Sequence, residues 1–321
     1  MSGLFQVGYL GNSGVGKSSL LAAMWQQLRN ASETRESVFL SPKDETRKRL
    51  SSAWEELRRV SQVGEFKQPA GTAGTAQTQA HEFQLILKQA GMANHEIASV
   101  EFVDSRGGDL VEKQKDLVDR LDHARALLIV VDTPKMMEFS VEQAQDAHQV
   151  THLKDLLEEL LDRLPKEAQL LLLFVAVKSE RYFADEALDK VSLRLHDVFK
   201  PLRKRLGGES GRVTSAAYAV KTVSNVLFKF KRMRVDVPKG TPPAPANCEM
   251  IYASSPKNSA PEFADVPMRR IVKHLLETVR REKGWWQSVN DWWTGHDSIE
   301  ADALKDFARE PDSACRLSDP L

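Results

Sequence analysis

Apolar positions fall into two rhythms along this chain, and their order predicts strands and helices in turn. LFQVGYL, residues 4–10, is a short apolar run of the length of a buried strand, and KSSLLAAMWQQLRN, residues 17–30, sets Leu20, Leu21, Met24 and Leu28 on one helical face. Phe83 to Lys88 and Ile97 to Val103 are two further strand-like runs, separated by about eight residues that include Gly91 and Asn94. A parallel crossover needs about a dozen residues or more, so this pair is expected to form an antiparallel hairpin. The alternation then resumes. RALLIVVDTP (125–134) is a strand, VEQAQDAHQVTHLKDLLEELLDRL (141–164) one long amphipathic helix, and QLLLLFVAVKSERYF (169–183) a buried strand ending in a polar turn. ALDKVSLRLHDVFKPLRKRL (187–206) and VPMRRIVKHLLETVRR (266–281) are helices. The expected class is α/β, with a mixed, mostly parallel sheet.

Three segments stand outside this alternation. SPKDETRKRLSSAWEELRRVSQ, residues 41–62, is a charged amphipathic helix with Leu50, Trp54 and Leu57 in one stripe, and it forms the core of an insertion over 31–70. VLFKFKRMRVDV (226–237) and MIYASSPKN (250–258) flank a Pro-rich loop and suggest an added hairpin over about 226–256. The chain therefore divides into a main domain, 1–283, and a helical tail, 284–321. In that tail Trp285 and Trp286 recur seven residues later as Trp292 and Trp293, which puts both pairs on one helical face; a short helix and a loose terminus are expected after Ile299.

Composition narrows the partners. Lys plus Arg and Asp plus Glu both number 45, so no global field recruits nucleic acid. The basic FKFKRMR (228–234) is expected to be the solvent face of a strand. Two cysteines, Cys248 and Cys315, make no disulfide framework and point to a reducing, cytoplasmic setting. No segment offers about 18 uncharged apolar residues, so no transmembrane span is expected. The tryptophan pairs could still anchor a protein partner or a membrane interface. His148 and His152 lie four apart without a third ligand at useful spacing, and are expected to be surface histidines on a polar helix.

The chemistry is concentrated in GNSGVGKSS, residues 11–19. Gly11, Gly16, Lys17 and Ser18 fit G-x-x-x-x-G-K-[ST] between a strand and a helix, which is a phosphate-binding loop. Backbone N–H groups of Asn12, Ser13, Gly14, Val15, Gly16 and Ser19 would curl around a phosphate, Lys17 would add a positive charge, and Ser18 would hold Mg²⁺. The second apolar run of the hairpin ends in VEFVDSRGG. Asp104 there is placed to reach the metal, and Gly107 to offer its N–H to a γ-phosphate.

A phosphate loop followed by a hairpin and D-x-x-G resembles the Ras-like and translation-factor class of P-loop GTPases, the TRAFAC class. That resemblance implies a three-layer α/β/α P-loop fold with one antiparallel strand, and GTP/GDP and Mg²⁺ as ligands. It assigns the Lys178–Glu180 segment to base recognition, as a variant of N-K-x-D with Val177 in the first place and Glu180 in the last. Lys178 would lie along the base, and the Glu180 carboxylate would accept from guanine N1–H and N2–H₂. A closing loop should follow: Thr222, Val223 and Ser224 stand at the expected place, while Ser254 and Ser255 fit the family pattern more literally. The resemblance also requires a threonine before the hairpin to reach Mg²⁺ and the γ-phosphate. Thr75 is the first choice, with Thr78 second and Thr72 available. With its long insertion and V-K-x-E variant, the chain looks most like the divergent bacterial GTPases of multi-gene systems, the double-GTPase type.

Ras-like proteins place a catalytic glutamine directly after the D-x-x-G glycine, and here that position is Gly108. Slow hydrolysis follows, or a residue supplied by a partner or by the insertion; Arg106 is one internal candidate. Two functions remain open. One is a Mg²⁺-dependent GTP switch that reports its state to a protein partner through 63–80 and 104–115 or through the tail. The other is a scaffold that binds GTP or ATP without useful turnover. A small-molecule kinase fits less well, since no Arg-rich lid is evident.

Overall fold

The structure, a computed structural model, describes residues 4–34, 38–62, 64–67, 79–88, 95–106, 108–112, 114–206, 211–238, 240–254, 260–279, 298–309 and 313–318. In chain order the elements are β1 (Leu4–Leu10), α1 (Lys17–Thr34), β2 (Val38–Pro42), α2 (Asp44–Val60), β3 (Glu65–Lys67), β4 (Gln79–Leu87), β5 (His95–Asp104), α3 (Asp109–Glu112) and α4 (Gln114–Arg120). There follow β6 (Ala124–Asp132), α5 (Thr133–Glu138), α6 (Val141–Ala147), α7 (Val150–Arg163), β7 (Leu170–Val177), α8 (Glu180–Ala184), α9 (Leu188–Leu206) and β8 (Val213–Ala219). The remainder comprises β9 (Val226–Met233), β10 (Cys248–Ser254), α10 (Val266–Val279), α11 (Ser298–Phe307) and β11 (Arg316–Leu317).

Eight strands form the main sheet in the order β11-β8-β7-β6-β1-β5-β4-β2. Its centre is parallel: β1 pairs with β5 and β6, β6 with β7, and β7 with β8. β4 runs antiparallel to β5 as the short connection required, in a register that sets Gln79 against Asp104. β7 is buried at every position, because helices cover both of its faces. Beneath one face lies a core built with Leu20, Met24 and Leu28 of α1 and Ile271 and Leu275 of α10. The opposite core takes Leu156, Leu160 and Val198 from α7 and α9. This is the three-layer α/β/α architecture with a mixed, mostly parallel sheet.

The insertion departs from the expected single helix. It adds the edge strand β2, antiparallel to β4, and the three-residue β3. The stripe on α2 packs inward, with Leu50 fully buried and Trp54 and Leu57 partly so. β3, β10 and β9 make a second, three-stranded antiparallel sheet. A small core of Phe139, Phe228, Met250 and Tyr252 seats it on the main domain.

Three further expectations need correction. Residues 141–164 form two helices, because Gln149 adopts the left-handed conformation at φ 53° and separates α6 from α7. His148 therefore caps α6 while His152 belongs to α7, and the two do not share a helix. Lys231 does not simply face solvent: its ammonium donates to Glu138 O and sits over the Phe139 ring. The chain's end is not loose where it is described. Cys315 is buried, and β11 pairs antiparallel with β8 at the sheet edge.

Candidate nucleotide site

The carboxyl edge of the parallel strands carries the described residues expected at the site, Ser254 excepted. β1 ends in the loop 11–16, held in shape from several sides. Tyr9 Oη donates to Lys17 O at 2.6 Å, Val15 N to Asn12 O at 3.2 Å, and Asn12 Nδ2 to Ala147 O at 2.5 Å. Gly16 has φ 112°, a conformation closed to side-chain-bearing residues, and a Cβ at Gly11 would lie 3.0 Å from Val15 Cγ1. Ser13 is exposed, Gly14 and Ser19 half-buried, and Val15 buried. Lys17 is 7% exposed; its Nζ donates to Gly11 O at 2.7 Å and lies 3.7 Å from Asp104 Oδ1. Ser18 is exposed in the first turn of α1. The loop, its lysine and the D-x-x-G aspartate thus meet at one point.

Asp104 is 1% exposed at the end of β5. His81 Nε2 approaches its Oδ2 to 3.9 Å. Burial first, and the charge of Arg49 second, push the His81 pKa down to about 4, so this imidazole is neutral near pH 7. Gly108 stands at the start of α3, where its carbonyl accepts from Val111 N and Glu112 N. Arg106 is exposed.

The residues expected at the base lie at the ends of β7 and β8, with the end of β6 beside them. Lys178 holds φ 58° and extends back along the phosphate loop, its Nζ donating to Gly14 O at 3.1 Å and pairing with Asp132 Oδ2 at 2.5 Å. Glu180 opens α8 and is 5% exposed. Its Oε1 accepts from Thr222 N at 2.9 Å and Val223 N at 3.3 Å. Burial pushes the Glu180 pKa up to about 7, although these backbone donors oppose the shift. Of the two competing loops, 222–223 lies against Glu180. Ser254 ends β10 in the second sheet, where its N donates to Gly64 O at 3.0 Å.

Asp132 escaped the sequence reading. It caps α5, accepting from Lys135 N at 3.1 Å, and its own N donates to His148 Nε2 at 3.1 Å. With Nε2 an acceptor, His148 carries its proton on Nδ1 and donates to Ala144 O at 2.7 Å. Burial raises the Asp132 carboxyl, but Lys178 and Lys135 outweigh it and leave the group below the usual range. Burial draws Lys178 down as well. The only signal in the sequence was an aspartate closing an apolar strand. Its partner Lys178 lies 46 residues away. Thr72, Thr75, Thr78, Gly107, Ser255 and the four tail tryptophans fall outside the described residues.

A strand, a phosphate loop closed by Lys and Ser, an aspartate one strand over and a Lys-x-Glu against a closing loop define a P-loop GTPase. The profile of the Double-GTPase 2 family matches residues 6–227, more than half the chain. The chain belongs to the Double-GTPase 2 family, and GTP binding follows from that membership. Among solved structures it is similar to the GTPase-like domain of S. cerevisiae Ski7, bound to GTP, at 10% identity and a TM-score of 0.34. That match covers 68% of this chain and 43% of that one. No curated protein matches. Among the described residues, no helix is long and apolar enough to cross a membrane.

Proposed function

We propose that the chain is a Mg²⁺-dependent GTP-binding switch that hydrolyses GTP slowly or under stimulation by a protein partner. The observation that carries this reading is the joining of two half-sites through one side chain: Lys178, in the segment proposed for the base, links the phosphate loop at Gly14 O to Asp132 at the end of β6. Lys17 would stabilise charge on the β- and γ-phosphates, and the loop's N–H groups would bind them. Glu180 Oε1 is engaged by Thr222 and Val223, so Oε2 is the atom to accept from guanine N1–H and N2–H₂. Adenine has no matching donors at those positions.

The residues present fit Mg²⁺. The Ser18 hydroxyl and the buried Asp104 carboxylate are hard oxygen donors, and among the described residues no cluster of three His, Cys, Asp or Glu competes for a metal. Mg²⁺ characteristically takes one or two protein oxygens and completes its shell with water and substrate phosphate. Bound there, it would neutralise charge that develops during phosphoryl transfer. We further propose a cytoplasmic setting, in keeping with two free cysteines, and a protein partner at segments 63–80 and 104–115 or at the tryptophan-rich tail.

A second reading, a nucleotide-dependent scaffold without useful turnover, is favoured by Gly108 where a catalytic glutamine would stand. Titration of the full chain with GTP, GDP and ATP, with Mg²⁺ and with chelator, tests the first reading. GTP is expected to bind more tightly than ATP, and Lys17→Ala to abolish binding. Equal affinity for ATP, unchanged by Glu180→Ala, would remove guanine recognition. Phosphate release with and without a candidate partner then separates switch from scaffold.

A further inference from the structure

We infer that Arg49, on the insertion helix α2, is the catalytic cation this chain supplies to its own phosphate site, held in place by Gln79. The inference rests on the GTPase reading above and assigns its hydrolytic machinery.

The geometry begins with how α2 is fixed. Lys43 N donates to Glu82 O at 3.0 Å, Glu82 N donates to Thr46 Oγ1 at 3.2 Å, and the Lys43 ammonium pairs with the Glu82 carboxylate. At the far end Ser61 O accepts from Asn225 Nδ2 at 3.3 Å, beside the base loop. The helix therefore runs from the middle of β4 up to the carboxyl edge of the sheet. Leu50 locks it against the α1 side of the core.

Arg49 sits where this helix passes the start of β4. Its Nη1 donates to Gln79 Oε1 at 3.0 Å. Gln79 is the residue in register with Asp104, so their side chains leave the same face of the sheet. Lys17 lies 3.7 Å from Asp104 on that face, and His81, two residues along β4, lies 3.9 Å from it. The guanidinium is thus held beside the phosphate end by a neutral amide. Among the described residues its carboxylate neighbour is Glu45, 3.5 Å away and 86% exposed, a pair of little strength. Arg269 shows the contrast: it ends on Asp265 at 2.7 Å with both side chains buried, as a structural arginine does.

Hydrolysis forms a bond from the water oxygen to the γ-phosphorus and breaks the bond from that phosphorus to the β–γ bridging oxygen. The electron pair leaves on the bridging oxygen of GDP, and the water proton passes to the released phosphate and solvent. Negative charge grows on the bridging and γ oxygens, and a guanidinium there stabilises it. Gly108 provides no side chain for this work. The insertion brings one.

The test is single-turnover hydrolysis of Mg·GTP by the full chain, together with the affinity for GDP with and without aluminium fluoride, which mimics the transferring phosphoryl group. Arg49→Ala is expected to slow hydrolysis on the order of 10³-fold. Its GDP affinity should stay within about twofold, and the gain in affinity from aluminium fluoride should vanish. Arg49→Lys should be nearly as slow, because an ammonium lacks the planar fork, although it preserves packing and any simple clamping role. Wild-type rates in Arg49→Ala, rescue by Arg49→Lys, or loss in Arg106→Ala alone would each overturn the assignment. So would a wild-type chain that binds GTP and never cleaves it, an outcome that leaves nucleotide binding standing. Failure to bind GTP would instead bring down the underlying function.

Discussion

Glu180 is held in a setting that resists its charge, and on the proposed reading this couples guanine recognition to pH. Its folded pKa, about 7, lies above the ordinary 4.5. Between those values the folded protein binds more protons than the unfolded chain, so raising the pH through that window removes stability from the nucleotide-free protein. The same rise creates the carboxylate that the proposed contact with guanine requires. GTP affinity is therefore expected to be about tenfold weaker at pH 6 than at pH 8, following the ionised fraction, while ATP affinity barely changes. Parallel titrations would show it; a flat GTP profile would mean that Glu180 does not touch the base. Asp132→Asn keeps the shape of the Lys178 partner and removes its charge. Because breaking a buried pair leaves the other charge uncompensated, a loss of about 3 kcal/mol is expected in urea unfolding. Nucleotide affinity should fall with it, and unchanged stability would dissociate Asp132 from this role.

At the scale of elements, what was legible followed periodicity. The hairpin of β4 and β5 was evident because alternating runs and a short connection left one solution, and the phosphate loop because its residue types admit few others. β3 carried no such signal: EFK has no pattern of its own and becomes a strand only by pairing with Ile251, Tyr252 and Ala253. The break at Gln149 was equally hidden, since no Gly or Pro marks it and the polar periodicity continues through it. The second sheet depends on Phe228, which is 2% exposed, stacks edge-on with Tyr252 and carries Arg181 of α8 over its ring. Phe228→Ala is expected to cost about 3 to 5 kcal/mol within that sheet. Hydrogen exchange should rise across β3, β9 and β10 while β6 and β7 stay protected. Uniform exchange throughout the protein would show instead that the two sheets unfold together.

Seen whole, the molecule closes its main sheet with segments from far along the chain. α11 buries Leu304 and Phe307 beside α10, and Arg269 donates to Phe307 O at 2.8 Å. β11 completes the edge next to β8. A chain ending at residue 297 is expected to melt at lower temperature and to expose the β8 edge to self-association, with light scattering as the readout. An unchanged melting point would make the tail an ornament. The pairing of Lys67 with Ile251 has a consequence for synthesis. β3 of the insertion can pair with β10 only after β10 has left the ribosome, long after the phosphate loop has emerged. Until then β3 lacks its partner strand, and the second sheet closes late in synthesis.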